Sequence, residues 1–155
     1  MSESLESPPR VEPAPPLPQA NELTQFFWDG ARRHELWIQR CDDCSHYIHT
    51  PKPMCRFCQS RRLSPSQVSG RANLYSWTVA LQPFHLYFVD KIPYILATVE
   101  LMEQPGLMVL SNLVGCDEED LAAGMPLQVT YRDLTDEVTI PVFAPATGTK
   151  GGRHG

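Results

Sequence analysis

The sequence predicts a mainly β protein: an N-terminal helix, a rubredoxin-like zinc ribbon and then a five-stranded barrel of the OB type. Two C-x-x-C motifs, at positions 41–44 and 55–58, indicate the ribbon, and five or six short strand-like runs after Val68 indicate the barrel. The length of 155 residues suits one compact domain with a small appendage. We therefore expect an arm at 1–20, the helix at 21–36, the ribbon at 37–66, the barrel at 67–145 and a tail at 146–155.

The two ends of the chain have compositions that favour little regular structure. Six of the first twenty residues are proline, so we expect a disordered or extended arm. The final stretch ATGTKGGRHG predicts a flexible tail. The sequence shows neither the pattern of a signal peptide nor an apolar run long enough to span a membrane. Together with unpaired thiols, this predicts a cytoplasmic protein.

A helix is predicted from about Glu22 to His34. Asn21 is a suitable N-cap, and one face collects apolar and small residues at helical spacing, namely Leu23, Phe26, Phe27, Gly30 and Ala31. Trp28 lies beside this stripe. The rings would pack either on the core of the chain itself or on a partner subunit.

The two C-x-x-C motifs predict a structural metal site formed by Cys41, Cys44, Cys55 and Cys58. Four thiolates on two tight turns match the tetrahedral coordination of structural Zn²⁺ and leave no position for a reacting water. Two disulfides and a rubredoxin-type iron site are the alternatives. Zinc is favoured over iron because Ser45 and Gln59 stand where iron sites often carry glycine. With four thiolates available, His46 and His49 are expected at the surface or beside the ligands.

The barrel is predicted from residues that alternate in polarity. The expected strand faces are Tyr75, Trp77, Val79 and Leu81; Ile95, Ala97, Val99 and Leu101; the run LMVLSNLV; Leu127, Val129 and Tyr131; and Val138, Ile140 and Val142. Pro141 indicates an edge strand, and EEDLAAG a helical turn. The long link QPFHLYFVDKIP, residues 82–93, is a candidate binding loop.

Charge is distributed unevenly along the chain. The segment 32–71 has a net charge of +5. Because the whole chain has a net charge of −5, the residues outside this segment have a net charge of −10. The basic residues of the segment are Arg32, Arg33, Arg40, Lys52, Arg56, Arg61, Arg62 and Arg71. This pattern suits an anionic partner such as nucleic acid or the phosphates of coenzyme A, although a solvated charged face is the simpler alternative.

Catalysis by the chain alone is not expected. Cys116 is the one cysteine outside the two motifs, and a nucleophilic thiol needs a base to form thiolate. No histidine lies near it in sequence, and His85 would reach it only through the fold. We interpret Cys116 as a small apolar side chain at a strand end.

The order of helix, four-cysteine ribbon and five-stranded barrel resembles the acyl-CoA-associated zinc-ribbon/OB-fold family, known as domain of unknown function thirty-five. The resemblance covers about Leu23 to Pro145. The stretches that carry it are FFWDGARRHELWIQRCDDC, PKPMCRFC, SGRANLYSWTVA, IPYILATVEL, NLVGCDEEDLAAGMPLQVTYRDL and VTIPVFAPA. The sequence departs from the family pattern at Ser45-His46 and in the bulky HLYFVD of the loop.

The resemblance implies a non-catalytic accessory subunit that assembles with a thiolase-superfamily enzyme, a thiolase or retro-aldolase acting on acyl-CoA esters. Other members work with acyltransferases, hydroxymethylglutaryl-CoA synthase or hydratases. The catalytic residues then lie in the thiolase-fold partner. The accessory chain, with its structural Zn²⁺, would stabilise that partner in a hetero-oligomer and help bind or channel a shared CoA ester.

Two further functions remain open from the residues. A zinc-ribbon/OB module can bind nucleic acid, with aromatic rings stacking on bases, and such binding would weaken steeply as salt rises. A free-standing CoA carrier would bind CoA without a partner. Whichever applies, we expect the working surface to combine the helix, the ribbon and the loop Gln82–Pro93. Its apolar members would be Phe26, Phe27, Trp28, Phe84, Leu86, Tyr87 and Phe88, beside Arg32, Arg33, Arg56, Arg61 and Arg62, unless the loop rings only plug the barrel.

Overall fold

The computed structural model describes residues 11–146 and confirms the predicted mainly β fold. One helix, α1, precedes eight strands, and short 3-10 helices occupy Leu86–Phe88 and Glu118–Asp120. The elements are α1 (Gln25–Arg32), β1 (Leu36–Cys41), β2 (Tyr47–Ile48), β3 (Leu63–Val68), β4 (Arg71–Ala80), β5 (Tyr94–Leu101), β6 (Met108–Leu113), β7 (Pro126–Asp133) and β8 (Thr139–Pro145). Within these described residues, no helix is long and apolar enough to cross a membrane.

Helix α1 is shorter than predicted and begins after Thr24, which occupies the N-cap position. Asn21 instead caps the turn before the helix: its Oδ1 accepts from the amides of Leu23 at 3.0 Å and Thr24 at 3.1 Å. Phe27 and Ala31 are buried as the stripe predicted, whereas Leu23, which precedes the helix, is 41% exposed. The helix packs on β1 and β8 and so joins ribbon to barrel.

The ribbon is a three-stranded antiparallel sheet in the order β2-β1-β3. β1 pairs with β3 along its whole length, from Leu36 opposite Val68 to Cys41 opposite Leu63. β2 pairs with β1 at only two positions. The chain therefore leaves the first C-x-x-C motif through β2 and the second through β3.

The second sheet closes into a barrel in the order β4-β5-β6-β8-β7, with β7 pairing back onto β4. The contact between β6 and β8 is short: the two strands run parallel and pair at one position, Leu113 opposite Phe143. The buried cluster of the barrel also contains Leu36, Ile38 and Val68 of the ribbon and Phe27 of α1. Helix, ribbon base and barrel thus share one core.

Two expectations about the strands need correction. A bulge between Leu74 and Ser76 shifts the register of β4, so Ala72 and Leu74 are buried while Tyr75 is 61% exposed. Leu81 lies beyond β4 and is also exposed. β8 is not an open edge, because it pairs on both sides.

Pro141 nevertheless occupies a suitable place in β8. Its carbonyl faces β6 and accepts from Ser111 Oγ at 2.8 Å. A strand residue directs its nitrogen and its carbonyl to the same side, so the proline nitrogen also faces β6, where main-chain pairing is nearly absent.

The described part of the arm, residues 11–20, contains no helix or strand. Residues 11–13 line a depression together with Leu86, Val89 and Lys91 of the loop. The predictions for residues 1–10 and for the tail from 147 onward lie outside the described residues. The domain boundaries stay predictions.

Gly70, between β3 and β4, is expected to be intolerant of a side chain. Its φ is +76°, and a Cβ there would overlap Val129 Cγ1. Gly70→Ala should lower the free energy of unfolding by about 1–2 kcal/mol for the left-handed backbone and about 1–3 kcal/mol more for the overlap. Gly106→Ala is the matched control, because its φ is +78° with open space around the added carbon. Equal losses in denaturant titrations of the two variants would contradict the packing argument.

Candidate functional site

The two C-x-x-C motifs form knuckles with the same backbone hydrogen bonds. In the first, the Cys41 amide donates to the His46 carbonyl and the Ser45 amide to the Cys41 carbonyl, both at 2.9 Å. In the second, the Cys55 amide donates to the Ser60 carbonyl at 2.8 Å, and the Gln59 amide to the Cys55 carbonyl at 2.9 Å. Each knuckle is thus a tight turn that directs two thiols to one side.

The four sulfurs are arranged as a tetrahedral metal site requires. Cys41 Sγ lies 3.6 Å from Cys58 Sγ, Cys44 Sγ lies 3.6 Å from Cys55 Sγ, and all four atoms lie within 4.8 Å of one another. Zinc–sulfur bonds of about 2.3 Å in a tetrahedron place sulfurs about 3.8 Å apart. The donor set therefore fits Zn²⁺ with closed coordination, which supports a structural role.

Ser45 and Gln59 do not distinguish zinc from iron at this site. They stand where iron sites often carry glycine, and their φ values are +64° and +63°. Both residues adopt the left-handed conformation that a glycine would supply. The absence of glycine therefore leaves the backbone of the knuckles unchanged.

Four thiols this close cannot ionise equally without a cation among them. The Cys44 amide donates to the Cys41 sulfur and lowers the pKa of Cys41 below its ordinary value, as do the neighbouring thiols. The His46 amide acts in the same direction on Cys44, but burial and the other three sulfurs raise the Cys44 pKa to about 12. A divalent cation removes this conflict because it stabilises all four thiolates together.

Polar contacts hold the second knuckle against the first. The buried Gln39 side chain of β1 donates to the Lys52 carbonyl at 2.9 Å and accepts from the Lys52 amide at 2.8 Å. Asp43 accepts hydrogen bonds from Ser60 and Arg62, which binds the tip of one knuckle to the exit of the other. These supporting residues could not be predicted from a short sequence motif, because the two residues of each hydrogen-bonded pair are more than ten positions apart.

The two histidines between the knuckles differ in environment. His46 Nδ1 lies 3.3 Å from Cys44 Sγ, and its ring stacks on Phe57 with centroids 4.0 Å apart, as expected for a group beside the ligands. His49 lies elsewhere: its ring packs on Phe27, and its Nδ1 is buried without a hydrogen-bond partner among the described residues. The sequence predicts His49 at the surface or beside the ligands; it is instead half-buried against Phe27 of the helix.

The basic residues of segment 32–71 are partly neutralised within the chain. Arg33 pairs with Glu35 and Arg62 with Asp43. Arg56 lies over the ring of Phe57. Among residues 11–146 the remaining basic side chains of the segment form no ion pair, so their charges are available to an anionic partner. Arg32 is the least suited of them, because it lines a depression together with Asp133 and Asp136.

The loop 82–93 divides into packed and exposed apolar residues. Tyr87 and Phe88 are half-buried: Phe88 packs on Tyr94 at 5.2 Å, and Lys91 Nζ lies 4.1 Å from the Tyr87 ring centre. These contacts favour the alternative in which the rings of Tyr87 and Phe88 pack within the chain and do not bind a partner. Phe84 is 85% exposed and Leu86 is 72% exposed. Exposed apolar side chains of this size are typical of a protein interface.

Cys116 has the surroundings of a structural residue. It packs against the core cluster at the end of β6. Partial burial, Asp120 and Asp117 raise the pKa of its thiol, which lowers the thiolate fraction that a nucleophile needs.

A four-cysteine ribbon joined through a shared core to a closed OB barrel defines a class of zinc-ribbon/OB-fold proteins. Family models match both parts: "ChsH2, rubredoxin-like zinc ribbon domain" at residues 28–64 and "ChsH2, C-terminal OB-fold domain" at residues 66–132. A DUF35 domain-containing scaffold protein of Pyrococcus furiosus is 30% identical over 115 residues, covering 74% of this chain and 82% of the relative. The chain belongs to the DUF35 family, which confirms the resemblance predicted above.

Two further relatives are subunits of enzymes by name. A probable enoyl-CoA hydratase alpha subunit of Thermomonospora curvata is 36% identical over 131 residues, 84% of this chain. This chain spans only 40% of that relative's length. The solved structure "Ltp2-ChsH2(DUF35) aldolase" matches with a TM-score of 0.75 and 36% identity, covering 83% of this chain and 98% of that one.

Proposed function

We propose that this chain is a non-catalytic, zinc-binding accessory subunit of a thiolase-superfamily enzyme that acts on acyl-CoA esters. In this role it stabilises the catalytic subunit in a hetero-oligomer and helps to bind or channel the CoA substrate. The observation that carries the proposal is the match to the DUF35 chain of an aldolase assembly along nearly the whole of that chain. A cytoplasmic location is part of the proposal.

The metal centre supports a scaffolding role. The four cysteines fit a closed coordination sphere, so Zn²⁺ bound there would hold the two knuckles together and would not activate water. The chemistry on the acyl-CoA is then assigned to the partner. Within this chain, Cys116 is the remaining cysteine, and its raised pKa makes it a poor nucleophile.

The exposed residues of the loop supply the proposed contact with the partner. Phe84, Leu86 and Val89 are all more than half exposed. Together with helix α1 and the ribbon they form the proposed docking surface. Basic side chains that form no ion pair within residues 11–146, such as Arg56 and Arg61, would meet CoA phosphates or an acidic edge of the partner.

Reconstitution with a catalytic subunit tests whether the catalytic activity resides in the partner. The chain alone is expected to give no acyl-CoA turnover, and adding a thiolase-fold catalytic subunit should give activity. Cys116→Ser should leave that activity within about twofold of wild type, because the hydroxyl replaces a packed thiol of similar size. The measurement is the turnover of the purified complex with each variant.

Two results of this reconstitution would contradict the proposal. Turnover by the isolated chain would make it an enzyme. An inactive complex that still contains well-folded Cys116→Ser chain would give Cys116 a chemical role.

A further inference from the structure

A cavity of about 420 Å³ lies between helix α1, the ribbon and the outer face of the barrel. Helix α1 contributes Phe27 and Trp28 to its wall, and the ribbon contributes His49 and Pro51. The barrel completes it with side chains of β5, β6 and β8: Leu96, Val109, Leu110, Ser111, Asn112, Ile140 and Pro141. Its volume falls in the range of small-molecule sites, about 300–1,000 Å³.

The wall of the cavity is suited to a neutral ligand. Among the described residues that line it there is no Asp, Glu, Lys or Arg. Two of its polar side chains are already bound: Ser111 Oγ donates to the Pro141 carbonyl, and Asn112 Nδ2 donates to the Ile95 carbonyl at 3.3 Å. A charged group would lose its hydration here without a counter-charge, so its binding is disfavoured.

His49 supplies one polar position in this apolar wall. Burial lowers the pKa of His49, which favours the neutral ring with one donor and one acceptor nitrogen. Nδ1 is buried and has no hydrogen-bond partner among residues 11–146, so a ligand in the cavity would have to use the other ring nitrogen, Nε2. A ligand with a single carbonyl or hydroxyl group can use this imidazole.

We infer that the cavity binds a neutral, mainly apolar organic group that carries one hydrogen-bonding substituent directed at His49. The identification of this group with the acyl part of a CoA ester rests on the proposed function. The nucleotide part, with its phosphates, is excluded from the cavity by the same uncharged lining and lies outside it.

Titration of the isolated full-length chain with 2-decalone, a neutral bicyclic ketone, tests this inference. Binding is followed by calorimetry and by shifts of the backbone amides of β6 and α1. An affinity of about 0.1–1 mM is expected for a ligand of this size. Decalin-2-carboxylate should bind at least tenfold more weakly, and free coenzyme A should cause no shifts around the cavity.

Two variants with equally exposed leucines localise the binding. Leu110 lines the cavity and Leu86 lies in the loop, and each is 72% exposed, so a larger side chain is compatible with the fold at both positions. Leu110→Trp should fill the cavity and weaken 2-decalone at least tenfold, whereas Leu86→Trp should not change it. His49→Phe keeps the ring and removes its nitrogens, so a several-fold loss is expected.

The inference is overturned if 2-decalone does not bind, if Leu110→Trp binds it normally or if the carboxylate binds equally well. A cavity filled by an apolar side chain of the partner is a distinct outcome. It would appear as loss of complex formation in Leu110→Trp without 2-decalone binding by the free wild-type chain. These titrations use the chain without its partner. A failure of 2-decalone to bind would therefore leave the proposed accessory function untouched, and a failure to form the complex would leave the ligand-binding result untouched.

Discussion

Replacing Cys44 with serine is expected to remove zinc and to unfold the tip of the ribbon while the barrel survives. Wild-type chain should contain one zinc and little or no iron, because residues 28–64 match a zinc-ribbon family. The variant should bind zinc more than about 100-fold more weakly, since even residues that only support metal ligands cost 10–100-fold. The cluster of Cys41, Ile48 and Cys55 is separate from the main core, so its packing depends on the metal.

Elemental analysis and hydrogen exchange measure both effects. Amides of the two knuckles should lose protection, whereas amides of β5 and β6 should keep most of theirs. Cys116→Ser is the control and should retain a full equivalent of zinc. Substoichiometric metal in fresh wild-type protein would contradict the prediction. So would full zinc in Cys44→Ser that is lost on adding His46→Ala, because that result would place the adjacent imidazole among the ligands.

Removing the two most exposed apolar side chains of the loop is expected to break the complex with the catalytic subunit. The double variant Phe84→Ser/Leu86→Ser should weaken association at least tenfold, because two anchoring side chains that each contribute about 1 kcal/mol together exceed the ~1.4 kcal/mol of a tenfold change. The fold of the isolated chain should not change, since both side chains already face solvent. Co-purification and calorimetric titration with the partner measure the loss.

Met102→Ser is a suitable control for this experiment. Met102 is 56% exposed but lies after β5, outside the loop. Tyr87→Ser/Phe88→Ser should mainly lower stability, since those rings pack within the chain. Undiminished complex and activity in Phe84→Ser/Leu86→Ser would remove the loop from the proposed docking surface.

The local features of the fold were predictable from the sequence. The grouping of the four cysteines depends on two turns of four residues, and each turn is determined by its own hydrogen bonds. Alternating polarity likewise located the later strands, because one face of each must enter the barrel. The family resemblance rested on the same local patterns.

Features that depend on contacts between distant segments could not be predicted. The bulge in β4 exchanges its inner and outer faces, and nothing in the residues around Leu74 marks it. The separation of Phe84 from Phe88 into an exposed and a packed ring depends on how the loop folds back on Tyr94. The cavity beside His49 is formed by the helix, the ribbon and three barrel strands, which lie far apart in the chain, so no short sequence motif predicts it.

The shared core fixes the orientation of the ribbon relative to the barrel. Leu36, Ile38 and Val68 at the base of the ribbon pack in the same cluster as Val99 and Phe143 of the barrel. Six paired positions then carry the β1–β3 ladder outward to Cys41. The ribbon therefore cannot pivot on the barrel without opening the core. A partner that contacted both the ribbon and the barrel would therefore meet them at a constant relative orientation, with this chain as a rigid template.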